Sequence, residues 1–146
     1  MTTILRTRHL MASVAPLLCA LALLGGCSSM AERERETRLD DTLRAYEKGI
    51  RWGEFGMAVA LIKPRKVLRR PVTRRDLEAY RITGYEIVSR TPAGDDGMEI
   101  DLVVEIGAYD INRGVVFAIE DLQRWYFDVN ANSWFLDGTL PNLNAR

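Results

Sequence analysis

The hydrophobic positions of this chain change period twice. From Leu10 to Leu24 they run nearly unbroken and end in Gly25, Gly26 and Cys27. Leu39, Leu43, Tyr46 and Ile50 then recur at spacings of four, three and four, which places them on one helix face and predicts a buried stripe. Ser29 and Glu32 have the spacing of a capping box and predict a helix start just ahead of the charged run Glu32 to Glu36. After Gly53, with Trp52 at the joint, Phe55, Val59 and Ile62 make a second short helical stripe that Pro64 ends. Lys63 to Arg75 contains Pro64 and Pro71 and reads as irregular, with one more helix turn between Thr73 and Tyr80, where Thr73 and Asp76 again have capping spacing.

From Tyr85 onward the period is two. Met98, Ile100, Leu102, Val104, Ile106 and Ala108 share one strand face, while Glu99, Asp101, Glu105 and Tyr109 take the other. Turn residues bracket this strand, Pro92 to Gly97 before it, Asp95 and Asp96 among them, and Asp110 to Gly114 after it. Val115 to Asp128 forms a long third strand, and Trp134 to Asp137 a short fourth after Asn130-Ala131-Asn132. Helices first and hairpins after predict an α+β fold: N-terminal helices packed on a curved four-stranded antiparallel meander sheet.

The apolar run preceded by Arg6, Arg8 and His9 is a signal peptide by its form, too short at about 15 residues to span a bilayer. With Leu24-Gly25-Gly26-Cys27 behind it, it resembles the bacterial lipoprotein type. The resemblance implies removal of residues 1–26, lipid on Cys27, and, with Ser28 next, delivery to the periplasmic face of the outer membrane. Residues 27–38 would then be a lipidated N-terminus and short polar stalk, and residues 39–146 a single domain. Three acyl chains exceed what stable anchoring requires.

Loss of the leader removes the only histidine and Cys19, and leaves the mature chain with two more acidic than basic residues. Histidine-based catalysis and cysteine- or histidine-ligated metal are thereby excluded, and no cofactor is called for. The order of elements is similar to the cone of the nuclear-transport-factor-2-like (NTF2-like) superfamily, or to a cystatin-like sheet wrapped on a helix. Tyr46 to Pro64, with Arg51-Trp52-Gly53 and Phe55, and the ending Trp134 to Pro141 also resemble small proteobacterial outer-membrane lipoproteins.

Four groups of residues are candidates for function. Under strict alternation Asp121 and Gln123 lie on the inner face of the third strand, where a carboxylate in an apolar cone is a general base. A strand of about 14 residues exceeds the common length and such strands often carry a bulge, so the expected parity turns Asp121 out and Leu122 in. Glu99, Asp101 and Glu105 form an acidic row that a solvated sheet face explains better than a calcium site. Arg65, Lys66, Arg69, Arg70, Arg74 and Arg75, with Lys63 and Arg81, concentrate positive charge and suit anionic lipid headgroups or an acidic partner. Nucleic acid is excluded by the exported address and the lack of a stacking motif. A turn centred on Asn130-Ala131 pairs Tyr126 with Phe135 on the outer face, an expected homodimer or periplasmic-partner interface unless helices or the tail around Leu140 and Leu143 cover it. The expected function is that of a non-enzymatic interaction or assembly module. The alternative is a small-ligand or enzymatic cone built on Asp121.

Overall fold

The computed structural model describes residues 14–94 and 96–144, with side chains from Met30 onward. The expected leader residues 1–13, the Cys27 and Ser28 side chains and the turn residue Asp95 lie outside the described parts. The chain divides into two units, Met1–Thr37 and Arg38–Arg146. In the first, the described backbone is helical throughout, and exposed Glu32, Arg33, Glu34 and Glu36 line its end. Among the described residues no helix is long and apolar enough to cross a membrane.

Helix α1 spans Val14–Arg51. It is already helical at Ser29, so the capping box expected there does not begin a helix. Within the second unit its stripe is as the spacing predicts: Leu39, Leu43, Tyr46 and Ile50 are all buried. Helix α2, Phe55–Ala60, buries Phe55 and Ala58 and leaves Val59 exposed, which corrects the expected second stripe. A helix this short is aimed by its neighbour. A Cβ on Gly49 of α1 would stand 2.9 Å from the Ala58 nitrogen, so the absence of a side chain lets the two helices touch.

Helix α3 is one turn, Arg74–Leu77, and the Thr73 N–H and hydroxyl both donate to the Asp76 carboxylate at 2.7 Å. The first strand starts at Tyr80 rather than Tyr85. Strands β1 (Tyr80–Pro92), β2 (Glu99–Asp110), β3 (Val115–Asp128) and β4 (Ser133–Leu136) form one open antiparallel sheet in sequential order. Ile100, Leu102, Val104, Ile106 and Ala108 of β2 are buried on its inner face. With Trp125, Trp134 and Leu136 they form one core with α1, α2 and the tail residues Leu140 and Leu143. The tail thus fills the core instead of crossing the outer face. After α2 the chain makes a parallel bridge, Ile62 to Leu136, with Lys63 N–H donating to the Leu136 carbonyl at 3.0 Å. That bridge covers the free side of β4 and sets where Lys63 and Arg65 emerge.

Candidate functional site

β2 and β3 pair without interruption over twelve successive positions, from Glu99 opposite Tyr126 to Asp110 opposite Val115. The bulge expected in β3 is absent and alternation holds. Asp121 stands opposite the buried Val104 on the inner face, while Leu122 is 79% exposed on the outer one. The outward placement of Asp121 expected from strand length is therefore corrected.

Asp121 belongs to a chain of polar groups set into the apolar core. The Gln123 side chain, itself buried, donates from Nε2 to Asp121 Oδ2 at 2.8 Å. Its Oε1 accepts from Trp125 Nε1 at 3.0 Å and from the Tyr85 hydroxyl at 3.3 Å. Two donors on Oε1 fix which way the amide points, and so aim its N–H at the carboxylate. Burial raises the Asp121 carboxyl above its ordinary range, and the Gln123 hydrogen bond only partly opposes this. Burial likewise pushes up the Tyr85 phenol, so it stays a neutral donor. Tyr46, from α1, packs edge-on against Trp125 with ring centroids 5.2 Å apart, and against Tyr85 at 6.5 Å. Its hydroxyl is fully buried and meets no hydrogen-bonding group among the described residues. Burial first, and then the nearby Asp121 charge, raise its pKa well above the ordinary value. The cluster offers one half-buried carboxylate of raised pKa and two neutral phenols, suited to hydrogen bonding or proton acceptance.

The outer-face residues are arranged differently from expectation. Tyr126 and Phe135 do pair, with ring centroids 6.2 Å apart. They are not an open patch, however: Tyr126 is only 9% exposed. The Arg65 guanidinium lies 4.7 Å from the Tyr126 ring centre, Lys63 Nζ lies 5.2 Å from that of Phe135, and the Tyr126 hydroxyl donates to the Lys63 carbonyl at 2.9 Å. The cover is the segment after α2, placed by the Ile62 bridge, and cation–π attraction holds it down. The expected open aromatic patch is corrected accordingly.

Arg65, one of the expected headgroup-binding residues, is engaged within the chain. It bridges Glu99 and Asp137, its own N–H donating to Asp137 at 2.8 Å, and both partners raise its pKa further. Burial works against ionisation of Asp137, but the Arg65 N–H and guanidinium outweigh it and hold that carboxyl below its usual range. Lys66, Arg69, Arg70, Arg74 and Arg75 are exposed and form no ion pair among the described residues. Of the acidic row, Glu99 is bound to Arg65 and Asp101 is gripped by Arg124 through two bonds of 2.7 Å. Glu105 is paired by register with two other glutamates.

Sequence reasoning missed the Tyr46 and Tyr85 hydroxyls. Tyr46 was legible only as a core position, and nothing in the spacing shows that its buried hydroxyl on α1 would feel the charge of a carboxylate on β3. Compared with known protein families, curated proteins and solved structures, the chain matches none.

Proposed function

We propose that Cys27 carries a lipid anchor that holds the chain at the periplasmic face of the outer membrane, and that the second unit acts there as a non-enzymatic interaction or assembly module. The finer fold reading, an NTF2-like or cystatin-like cone, belongs to this proposal. The observation that carries the module reading is where unsatisfied charge resides. The inward carboxylate is held by Gln123 against a core in which Tyr46, Gln123 and Trp125 are buried, whereas the cations of residues 66–75 stand in solvent without ion pairs. A surface of unmatched charge finds its counterpart on another molecule.

The anchor is tested by metabolic labelling with a fatty-acid analogue. Wild-type protein should take the label and fractionate with outer membranes, and Cys27→Ala should take none and remain a larger precursor. A labelled Cys27→Ala protein would overturn the anchor. The module is tested by crosslinking in intact cells. Arg69→Glu/Arg70→Glu should abolish crosslinked species that Asp121→Asn retains; the reverse pattern would overturn the module reading.

A second reading, a small polar ligand held at Asp121, is favoured by one observation, the fully buried Tyr46 hydroxyl, which has no hydrogen-bond partner among the described residues and feels the Asp121 charge.

A further inference from the structure

Three glutamates stand in one row across the outer face of the sheet. Glu86 of β1 is directly opposite Glu105 of β2, which is directly opposite Glu120 of β3. All three are exposed, and none forms an ion pair or hydrogen bond among the described residues. Side chains opposed on adjacent strands are about 5 Å apart, where like charges repel. Arg124, further along β3, is taken up by Asp101 and does not relieve them.

The row has apolar borders. On one side Leu122, 79% exposed, lies opposite Val103; on the other, beyond Ala118, Val116 is 69% exposed opposite Tyr109. The outer face is thus an anionic stripe between two apolar margins.

The same chain carries the complement. Lys66-Val67-Leu68-Arg69-Arg70 presents three cations without ion pairs around Val67, which is 99% exposed, and the partly exposed Leu68. This segment is tied at both ends to the β4 side of the fold. Arg65 is bonded to Asp137, and Val72 N–H donates to the Thr139 hydroxyl at 2.8 Å. Within one copy it makes no ion pair with the glutamate row.

We infer that residues 66–70 of one copy dock on the Glu86–Glu105–Glu120 row of a second copy, with Val67 and Leu68 against the Leu122 and Val116 margins. The inference rests on the module reading above and names its partner. The contact joins two different surfaces, so it is head-to-tail and builds rings or chains rather than a two-fold dimer. Being carried by exposed charge, it weakens with salt.

Complementary charge reversals test it. Full-length protein in density-matched detergent is examined by sedimentation at low and high salt, with folding monitored by circular dichroism. Wild type should rise in mass with concentration at low salt and lose most of that rise at 0.5 M salt. A face variant, Glu86→Lys/Glu105→Lys/Glu120→Lys, and a segment variant, Lys66→Glu/Arg69→Glu/Arg70→Glu, should each sediment as a single copy. Mixed, they should associate again, because the cationic segment of the face variant meets the glutamate row of the segment variant and the reversed segment and face are complementary in turn. If the triple face variant fails to fold, Glu105→Lys alone should weaken self-association at least tenfold. A single-copy wild type, a variant that still associates alone, or a mixture that does not pair overturns the inference. If wild type stays single but binds oligolysine or vesicles of anionic phospholipid, the face or the segment serves another partner and self-docking is overturned. Crosslinks to a different protein that depend on Arg69 and Arg70 would in that case leave the module reading standing.

Discussion

Replacing Tyr46 with Phe removes one oxygen from the centre of the core and leaves the ring in place. The ring packs edge-on against Trp125 at 5.2 Å and Tyr85 at 6.5 Å, and phenylalanine keeps both contacts. The oxygen removed is fully buried and has no hydrogen-bond partner among the described residues. An unsatisfied buried polar group costs about 1–3 kcal/mol. An oxygen-sized void of roughly 10–15 Å³ returns about 0.3 kcal/mol of that, at a cavity cost of ~24 cal/mol per Å³. The variant should therefore be more stable by about 1–2 kcal/mol, which for a folded unit of about a hundred residues raises Tm by roughly 4–8 °C.

The assay is urea denaturation at pH 7, followed by tryptophan fluorescence, since Trp125 lies against the substituted ring. The midpoint should rise with an unchanged slope, the sign of a change in stability rather than in compactness. A loss of 1 kcal/mol or more would refute the reasoning, because it would mean that the hydroxyl makes a favourable bond in the folded protein. Paired with lower stability, loss of a bound small molecule on native purification would move the argument to the ligand reading of Asp121.

Two further substitutions probe the same packing. Asp121→Asn removes a carboxylate whose folded pKa is raised by burial. A carboxyl of raised pKa favours the fold when protonated and loses that contribution as pH rises through its folded value, so Asn should raise Tm at pH 7 and lose the advantage below about pH 4. An Asn variant less stable than wild type at pH 7 would refute the inward, desolvated placement. Gly49→Ala drives a Cβ to 2.9 Å from the Ala58 nitrogen. Overpacking of this kind costs about 1–3 kcal/mol against at most ~1 kcal/mol of helix propensity gained. Urea denaturation should show a net loss, and an unchanged midpoint would mean that α2 does not hold its distance from α1.

The parts of the fold legible in the sequence are those in which one periodicity governs many residues. The α1 stripe and the alternation of β2 were readable because each buried position repeats the same signal. The pairing of Trp125 with Leu136, Tyr126 with Phe135 and Phe127 with Trp134 followed once the turn was placed, since strand register has period two. Contacts made by single residues were not legible. The Ile62–Leu136 bridge spans 74 positions and involves one residue on each side, so no pattern announces it. Yet that bridge puts Lys63 and Arg65 over the aromatic pair and turns an expected open patch into a closed contact. Composition identified Lys63 and Arg65 as two cations among many and could not distinguish these bound ones from Lys66, Arg69, Arg70, Arg74 and Arg75, which form no ion pair among the described residues.

The parity of β3 shows where the irregularity of a long sheet is accommodated. Expecting a bulge was sound for strands of this length, and the sheet does contain two, between Ile82 and Gly84 and between Ile87 and Ser89. Both are in β1, which has a neighbour on one side only. An extra residue there disrupts one ladder, whereas in β2, paired on both sides along its length, it would disrupt two. The neighbouring strand is shaped to receive the first of them: a Cβ on Gly107 would stand 2.9 Å from the hydroxyl of Thr83, the residue the bulge leaves unpaired. With the bending taken up at that edge, β2 and β3 stay in register, and alternation carries Asp121 and Gln123 inward with Trp125. The inward carboxylate thus goes with an unbulged β3, and the irregularity of the sheet lies in β1, opposite Gly107.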